Sequence, residues 1–252
     1  MTNREEVLKE LADGVWVTSA PVRFLGLRLT ATMTVLRLGG DLLVHSPVAL
    51  TPQTKRAVDA LGRVAHLYAP NAFHHLRLGS WAAAYPEASI HAPPSLVKKR
   101  PDLRIDRIHG SALDPALIGI IDELRIAGFR LDETVLFHRP SKTLVLADLV
   151  HNIGRPEHGW TRIYTRMMGF YDRVALSRMI RWTAFSDRHA ARRSVDDVLA
   201  LPLERIVVGH GSPIVDEPRV VLAEAYAWLS PKPLLGPAAT EGRGRRIFSG
   251  CA

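Results

Sequence analysis

Short runs of apolar and β-branched residues recur along this 252-residue chain, and each run stops at a turn former or at the start of a helical pattern. Such runs are typical of strands that lie inside a protein. Two pairs of runs are joined by short turns and predict hairpins, namely 28–38 with 42–45 and 133–138 with 143–148. The remaining runs alternate with helical segments. We therefore predict one α/β domain with its sheet structure in the middle and its helices outside.

The helical pattern is clearest after Thr51-Pro52, where threonine can cap the helix and proline can occupy its first position. We also predict a short helix over 3–12, a helix over 115–124, helices within 160–200 and a last helix over about 217–229. The segment 93–107 is rich in proline and charge and is predicted to be a loop.

Composition excludes several classes of protein. Hydrophobic residues make up 47% of the chain and charged residues 23%, which is typical of a globular protein and not of a disordered one. Cys251 is the single cysteine, so a disulfide framework and a cysteine-rich zinc finger are both excluded. A metal site would have to use histidine, aspartate or glutamate. The sequence shows no export signal and no apolar run near the ~20 residues of a membrane span, which predicts a soluble, cytoplasmic protein without a membrane partner.

The net charge of +8 is unevenly distributed. The segment 155–193 carries nine arginines against three carboxylates, and the segment 231–252 is basic as well. Such a cluster could bind phosphates or an acidic partner, or it could be the solvated face of a helix. The segment has neither regularly spaced aromatic residues nor a nucleic-acid-binding motif, so nucleic acid is the less favoured partner.

Residues that bear chemistry follow three of the predicted strands. His74-His75, Asp148 and His210 are far apart in sequence, but strands that share a sheet bring such ends together. Each residue also has a purely structural interpretation, since the histidine pair could begin a helix and Asp148 could cap a turn. His210 lies between two glycines, where a tight turn would expose its ring, and this favours a role in a site.

Four short motifs resemble the metallo-β-lactamase superfamily, and more closely an uncharacterised branch of it. They are His45-Ser46-Pro47, the segment 69–75 (APNAFHH), the segment 141–148 (SKTLVLAD) and Gly209-His210-Gly211. The resemblance covers about residues 14–229. It implies an αββα sandwich of two mixed β-sheets flanked by helices. On this basis we predict a single domain over 1–230 with an arginine-rich helical insertion at about 155–200, followed by a flexible tail at 231–252.

The resemblance also implies a metal site. The superfamily signature H-x-H-x-D-H falls on residues 70–75, where Pro70 and Ala72 replace its first two histidines and His74 replaces its aspartate. A third expected histidine is missing near residues 128–130. The positions that remain imply one ion, with Zn²⁺ preferred and Fe²⁺ or Mn²⁺ as alternatives. Its predicted ligands are His74, His75, Asp148 and His210.

The function implied by such a site is hydrolysis of an ester, lactone, amide or phosphoester. Asp148 and His151 are the predicted catalytic residues, with His151 as a proton shuttle, and the arginine-rich segment favours a small anionic substrate. The alternative is a non-catalytic protein that binds an acidic partner through this fold. A redox role is disfavoured, because the sequence has no flavin-domain extension and lacks a carboxylate-rich ligand set. We interpret the other polar candidates as loop-shaping, supporting or surface residues: Ser46, Asn71, Glu133, His138, His45, His66, His91, His109, His158 and His189.

Overall fold

The computed structural model describes residues 7–229, and two β-sheets form its centre. The strands of the first sheet lie in the same order as in the chain, and β1 to β4 pair antiparallel whereas β4 to β7 run parallel. They are β1 (Lys9–Ala12), β2 (Val15–Phe24), β3 (Leu27–Leu38), β4 (Asp41–His45), β5 (Arg63–Tyr68), β6 (Ser89–Ala92) and β7 (Arg107–Ile108).

The second sheet has four strands in the order β11-β10-β9-β8. Its outer strand β11 runs parallel to β10, and the other two pairs are antiparallel. The strands are β8 (Ile121–Arg125), β9 (Thr134–His138), β10 (Thr143–Val145) and β11 (Arg205–Val207). Both predicted hairpins are confirmed, β3 with β4 and β9 with β10.

Helices cover the outer faces of the two sheets. They are α1 (Pro52–Asp59), α2 (Leu78–Ala84), α3 (Pro94–Lys99), α4 (Gly159–Met168), α5 (Arg178–Thr183), α6 (Arg188–Leu199) and α7 (Pro218–Tyr226). The Thr51 hydroxyl accepts a hydrogen bond from the backbone N–H of Thr54, so the predicted cap of α1 is confirmed. The helices of the segment 159–199 also agree with the predicted pattern.

Three layers of apolar side chains hold this arrangement together. The layer between the sheets includes Leu36, Tyr68 and Val145, all fully buried. Trp81 of α2 packs on the outer face of the first sheet, and Tyr226 of α7 packs on the second. Burial of apolar area on both faces of each sheet is the main stabilising force, so the predicted αββα sandwich is confirmed.

Three of the predicted local elements are wrong. Residues 9–12 form a strand instead of a helix, because β1 gains backbone hydrogen bonds from β2. The predicted helix over 115–124 is a short 3₁₀ turn, Pro115–Leu117, followed by β8. The predicted loop over 93–107 contains α3, which begins at Pro94. In the first two cases sheet pairing outweighs a weak local preference.

Two further predictions concern the C-terminal tail and the crossing of a membrane. Residues 231–252, the predicted tail, lie outside the described residues. Within 7–229 the structure contains no helix with both the length and the apolar character that crossing a membrane requires.

Candidate metal centre

Three polar side chains meet at one edge of the sandwich. Asp148 follows β10, His210 follows β11 and His74 follows β5. Because β10 and β11 are parallel neighbours, their carboxyl ends lie side by side. The Nε2 atoms of His74 and His210 lie 3.5 Å and 3.4 Å from the two carboxylate oxygens of Asp148. One ligand atom from each of the three residues lies within 4.8 Å of the others, so they can share one ion.

The Gly209-His210-Gly211 segment has to pass very close to other backbone. A Cβ atom on Gly209 would lie 2.6 Å from the carbonyl oxygen of Ala147 and 2.9 Å from Cε1 of His74. Gly211 has φ +101° and approaches the carbonyl of Asn152 too closely for any side chain. Glycine on both sides therefore allows the His210 ring to reach Asp148.

Hydrogen bonds set the direction of both imidazoles. The Nδ1–H of His210 donates to the carbonyl oxygen of Thr30 at 2.7 Å, which leaves Nε2 as the atom that faces Asp148. The His74 Nδ1 lies 2.7 Å from the hydroxyl of Ser46. Such partners are typical of histidines that bind metal, because they hold the ring and its tautomer in place.

A buried polar network supports Asp148 from behind. Glu133 accepts hydrogen bonds from the backbone N–H groups of Ala147 and Asp148, both at 2.8 Å, and from the Asn71 amide at 3.1 Å. The same amide donates to Asp148 at 2.9 Å, and the Asn71 carbonyl oxygen accepts from the backbone N–H of His74. Asn71 and Glu133 are both fully buried, so these two residues tie the ligand-bearing loops together.

Charge inside this network shifts several pKa values. Burial and the neighbouring charge of Asp148 raise the pKa of Glu133 to about 7. Burial also acts to raise the pKa of Asp148, but His74 and His210 outweigh it and hold that pKa well below its usual range. Burial lowers the pKa of His210, and the hydrogen bond and charge of Asp148 reverse this, so the net shift is upward. The site thus stabilises a carboxylate that faces two imidazoles.

His75 is the predicted ligand that the structure does not bring to this group. Its ring is buried away from Asp148, with Nδ1 3.3 Å from the guanidinium of Arg100. Burial, together with the positive charges of Lys99 and Arg100, lowers its pKa. The converging set is therefore two imidazoles and one carboxylate, whereas the sequence predicted three imidazoles and one carboxylate.

His151, the predicted proton shuttle, lies beside the group without joining it. Its ring centroid is 5.5 Å from that of His210 and 5.4 Å from that of Phe170. Burial and the nearby His210 lower its pKa to about 4, so the ring is neutral at pH 7. Its catalytic role stays a prediction.

The sequence pattern predicts only part of the support around the site. It indicates loop-shaping roles for Asn71 and Ser46, whereas both contact the site directly through side-chain hydrogen bonds. The carbonyl of Thr30 was not anticipated at all, because a backbone oxygen leaves no trace in a sequence pattern. The signal for Glu133 was present, since a carboxylate directly before the fully buried strand β9 needs partners. His138 is structural, bonded to Ser141 at 2.7 Å.

No protein-family model matches the sequence, and no curated protein matches it significantly. Comparison with solved structures is informative. DIM-1 metallo-β-lactamase exposed to ceftazidime has a TM-score of 0.62 at 14% identity, and the match covers 88% of this chain and 97% of that one. The metallo-β-lactamase from Pontibacter korlensis has a TM-score of 0.61 at 10% identity, covering 89% and 99%.

The mono-zinc form of the metallo-β-lactamase FIM-1 from Pseudomonas aeruginosa is also similar, with a TM-score of 0.59 at 12% identity, covering 88% of this chain and 94% of that one. Identities this low establish the architecture and leave activity open. The two mixed sheets and the outer helices agree with that architecture. The chain therefore has the metallo-β-lactamase fold.

Proposed function

We propose that the protein is a metal-dependent hydrolase with one divalent transition metal held by His74, Asp148 and His210. The observation that carries this proposal is the convergence of three ligand atoms from three separate loops within 4.8 Å. Two imidazoles and one carboxylate form a ligand set suited to catalytic zinc. We therefore propose Zn²⁺, with Fe²⁺ and Mn²⁺ as alternatives that the same donors accept.

When bound by these residues, a metal would activate a water and polarise a carbonyl or phosphoryl oxygen of the substrate. The residues of the chain have separate tasks. Hydrogen bonds with Thr30 and Ser46 fix the orientation of the His210 and His74 rings, respectively. Glu133 and Asn71 hold the loop that carries Asp148 in place. We propose His151 as a proton shuttle, because its ring lies 5.5 Å from that of His210 and its buried Nδ1 has no hydrogen-bond partner among the described residues. We also retain a cytoplasmic location as a prediction.

The test is metal analysis of protein expressed without a histidine tag, followed by a panel of chromogenic esters, lactones, amides and phosphoesters. We expect at least one equivalent of a transition metal and turnover of one substrate class. Less than about a tenth of an equivalent after incubation with Zn²⁺, Fe²⁺ or Mn²⁺ would contradict the metal site. A full equivalent without turnover of any class would instead favour the non-catalytic protein that binds an acidic partner.

The arginine-rich segment supports an anionic substrate. Its helix α4 packs against β3, where the Thr161 hydroxyl accepts a hydrogen bond from the backbone N–H of Arg28 at 2.9 Å. Thr30, which holds His210, lies two residues further along the same strand. The exposed Arg162 and Arg166 thus belong to a helix that packs on the strand that orients His210. Guanidinium groups suit carboxylate and phosphate.

Replacement of Arg162 and Arg166 by glutamine is expected to reduce kcat/KM for an anionic substrate by roughly tenfold, which is the effect of losing one charged hydrogen bond. A neutral substrate of the same class should be hardly affected. Arg193→Gln in α6 is the matched control, because it removes an exposed arginine of the same segment. Equal losses for anionic and neutral substrates would contradict the assignment.

A further inference from the structure

A second group of metal-binding side chains lies apart from Asp148. His66 belongs to β5, His91 to β6, and Asp114 directly precedes the 3₁₀ turn Pro115–Leu117. The His66 Nδ1 is 3.0 Å from the His91 Nε2, and that same Nε2 is 3.9 Å from Oδ2 of Asp114. All three ligand atoms lie within 4.8 Å of one another. No residue of the proposed hydrolytic site takes part.

Strand geometry places both rings on one face of the first sheet. His91 pairs in register with Tyr68, and His66 lies two residues before Tyr68 in the same strand. Side chains two residues apart in a strand share a face, so His66 is the diagonal neighbour of His91. The exposed fractions are 5% for His66 and 2% for His91. The rings therefore meet because of sheet register, with little freedom to turn away.

Asp114 is held so that one oxygen faces the rings. Its Oδ1 accepts a hydrogen bond from the backbone N–H of Ala116 at 3.0 Å, and this leaves Oδ2 directed toward His91. The Arg107 Nε lies 3.3 Å from Oδ2, but that side chain is 47% exposed and can turn into solvent. The Asp114 side chain is 10% exposed, so the group touches solvent at this carboxylate.

Asp114 makes no hydrogen bond to the His91 ring. The hydrogen bond between the two rings uses one nitrogen of each, and Oδ2 of Asp114 lies 3.9 Å from the His91 Nε2, which is too far for a hydrogen bond. A cation at the common centre would be within reach of all three atoms after small shifts, because Zn²⁺ binds nitrogen and oxygen ligands at about 2.0–2.2 Å. Imidazole nitrogen with one carboxylate favours a transition metal over Ca²⁺ or Mg²⁺.

We propose that His66, His91 and Asp114 form a second divalent transition-metal site, with Zn²⁺ as its ion and solvent in the fourth position. Its role is to join the two halves of the fold. Asp114 lies in the connection between β7 of the first sheet and β8 of the second, and the adjacent Leu117 is fully buried between the sheets. An ion bound here ties that connection to β5 and β6, and so stabilises the sandwich.

The test removes the two sites separately and measures Zn²⁺ binding and thermal stability, so it is independent of hydrolysis. His210→Ala removes a ligand of the first site, and Asp114→Asn removes the carboxylate of the second while its amide oxygen can still cap Ala116. We expect metal-stripped His210→Ala protein to bind one equivalent of Zn²⁺. At a free concentration about 100-fold above Kd, Zn²⁺ should raise its Tm by roughly 5–10 °C.

In the His210→Ala background, Asp114→Asn should weaken Zn²⁺ binding at least about tenfold and abolish most of the Tm rise. Asp172→Asn is the matched control, because it removes the charge of an exposed aspartate paired with Arg155 and should preserve both effects. His91→Phe is a second variant that keeps an aromatic ring of similar size, and circular dichroism confirms that each variant is folded. With Co²⁺ in place of Zn²⁺, the visible absorption of tetrahedral Co²⁺ should disappear in both variants.

Two outcomes would overturn the second site. One is that the His210→Ala protein binds no Zn²⁺ and shows no Tm rise. The other is that folded Asp114→Asn and His91→Phe proteins bind Zn²⁺ as tightly as the Asp172→Asn control. In either case, His66 and His91 would be a hydrogen-bonded pair of core residues.

Discussion

His210→Ala is expected to abolish hydrolysis and to weaken metal binding at the Asp148 site by at least about 100-fold. Loss of a residue that merely orients a ligand costs 10- to 100-fold in affinity, and loss of the ligand itself costs at least as much. The variant keeps the fold, because the His210 side chain reaches the site from a loop and belongs to none of the apolar layers. Zinc titration with a competing chelator and initial rates on the active substrate class measure the two effects.

The control for this result is His189→Ala, which removes an exposed histidine of α6. It should leave metal affinity and rate unchanged. Because the second site is independent, total zinc should fall by one equivalent in His210→Ala and not to zero. Unchanged activity in a folded His210→Ala protein would remove this residue from the site and would refute the proposed hydrolase mechanism.

The second large effect is loss of stability in acid. His45, His109 and His151 are buried, and burial is the main cause that lowers their pKa values to about 3, 3 and 4. A histidine with a lowered pKa in the folded state contributes stability above pH 6.5 that is lost as the pH falls toward 4, because only the unfolded chain takes up the proton. Each ring accounts for about 2 kcal/mol between pH 7 and pH 5.

Three groups oppose this loss. The raised pKa values of His210, Glu133 and Glu123 make their contributions largest in acid and smaller as the pH rises. Four more histidines have lowered pKa values and therefore add to the loss of stability in acid, namely His66, His75, His91 and His138. We therefore expect the free energy of unfolding of the metal-free protein to fall by roughly 5 kcal/mol from pH 7 to pH 5. Urea denaturation at pH 7, 6 and 5 measures it.

His109→Phe isolates the contribution of one ring. His109 stacks on Tyr68 with ring centroids 4.4 Å apart, and both of its nitrogens lack a hydrogen-bond partner within residues 7–229. Phenylalanine keeps the stacking and cannot take up a proton, so the loss between pH 7 and pH 5 should shrink by about 2 kcal/mol. His189→Gln should leave the loss as it is. An unchanged pH dependence in His109→Phe would mean that this ring takes up its proton equally well in the folded and the unfolded chain, which would contradict the lowered pKa.

Much of the architecture follows from local patterns. Hairpins such as 133–138 with 143–148 are recognisable because a period-two apolar pattern meets a turn signal. The helix predicted at residues 9–12 is wrong because four residues carry too little pattern to distinguish a short helix from an edge strand. Residues 9–12 form a strand because they pair with β2, and no property of residues 9–12 themselves encodes this pairing.

The sequence by itself determined which loops carry the site and which residue types they offer, because strands that share a sheet edge bring their ends together. Only the tertiary structure decided which of the two adjacent histidines faces Asp148. His74 turns toward Asp148 and bonds Ser46, whereas His75 turns toward Arg100. Likewise, sheet register alone placed His66 beside His91. The direction of a side chain depends on its partners across the fold, and those partners are set by packing between segments that a one-dimensional pattern does not relate.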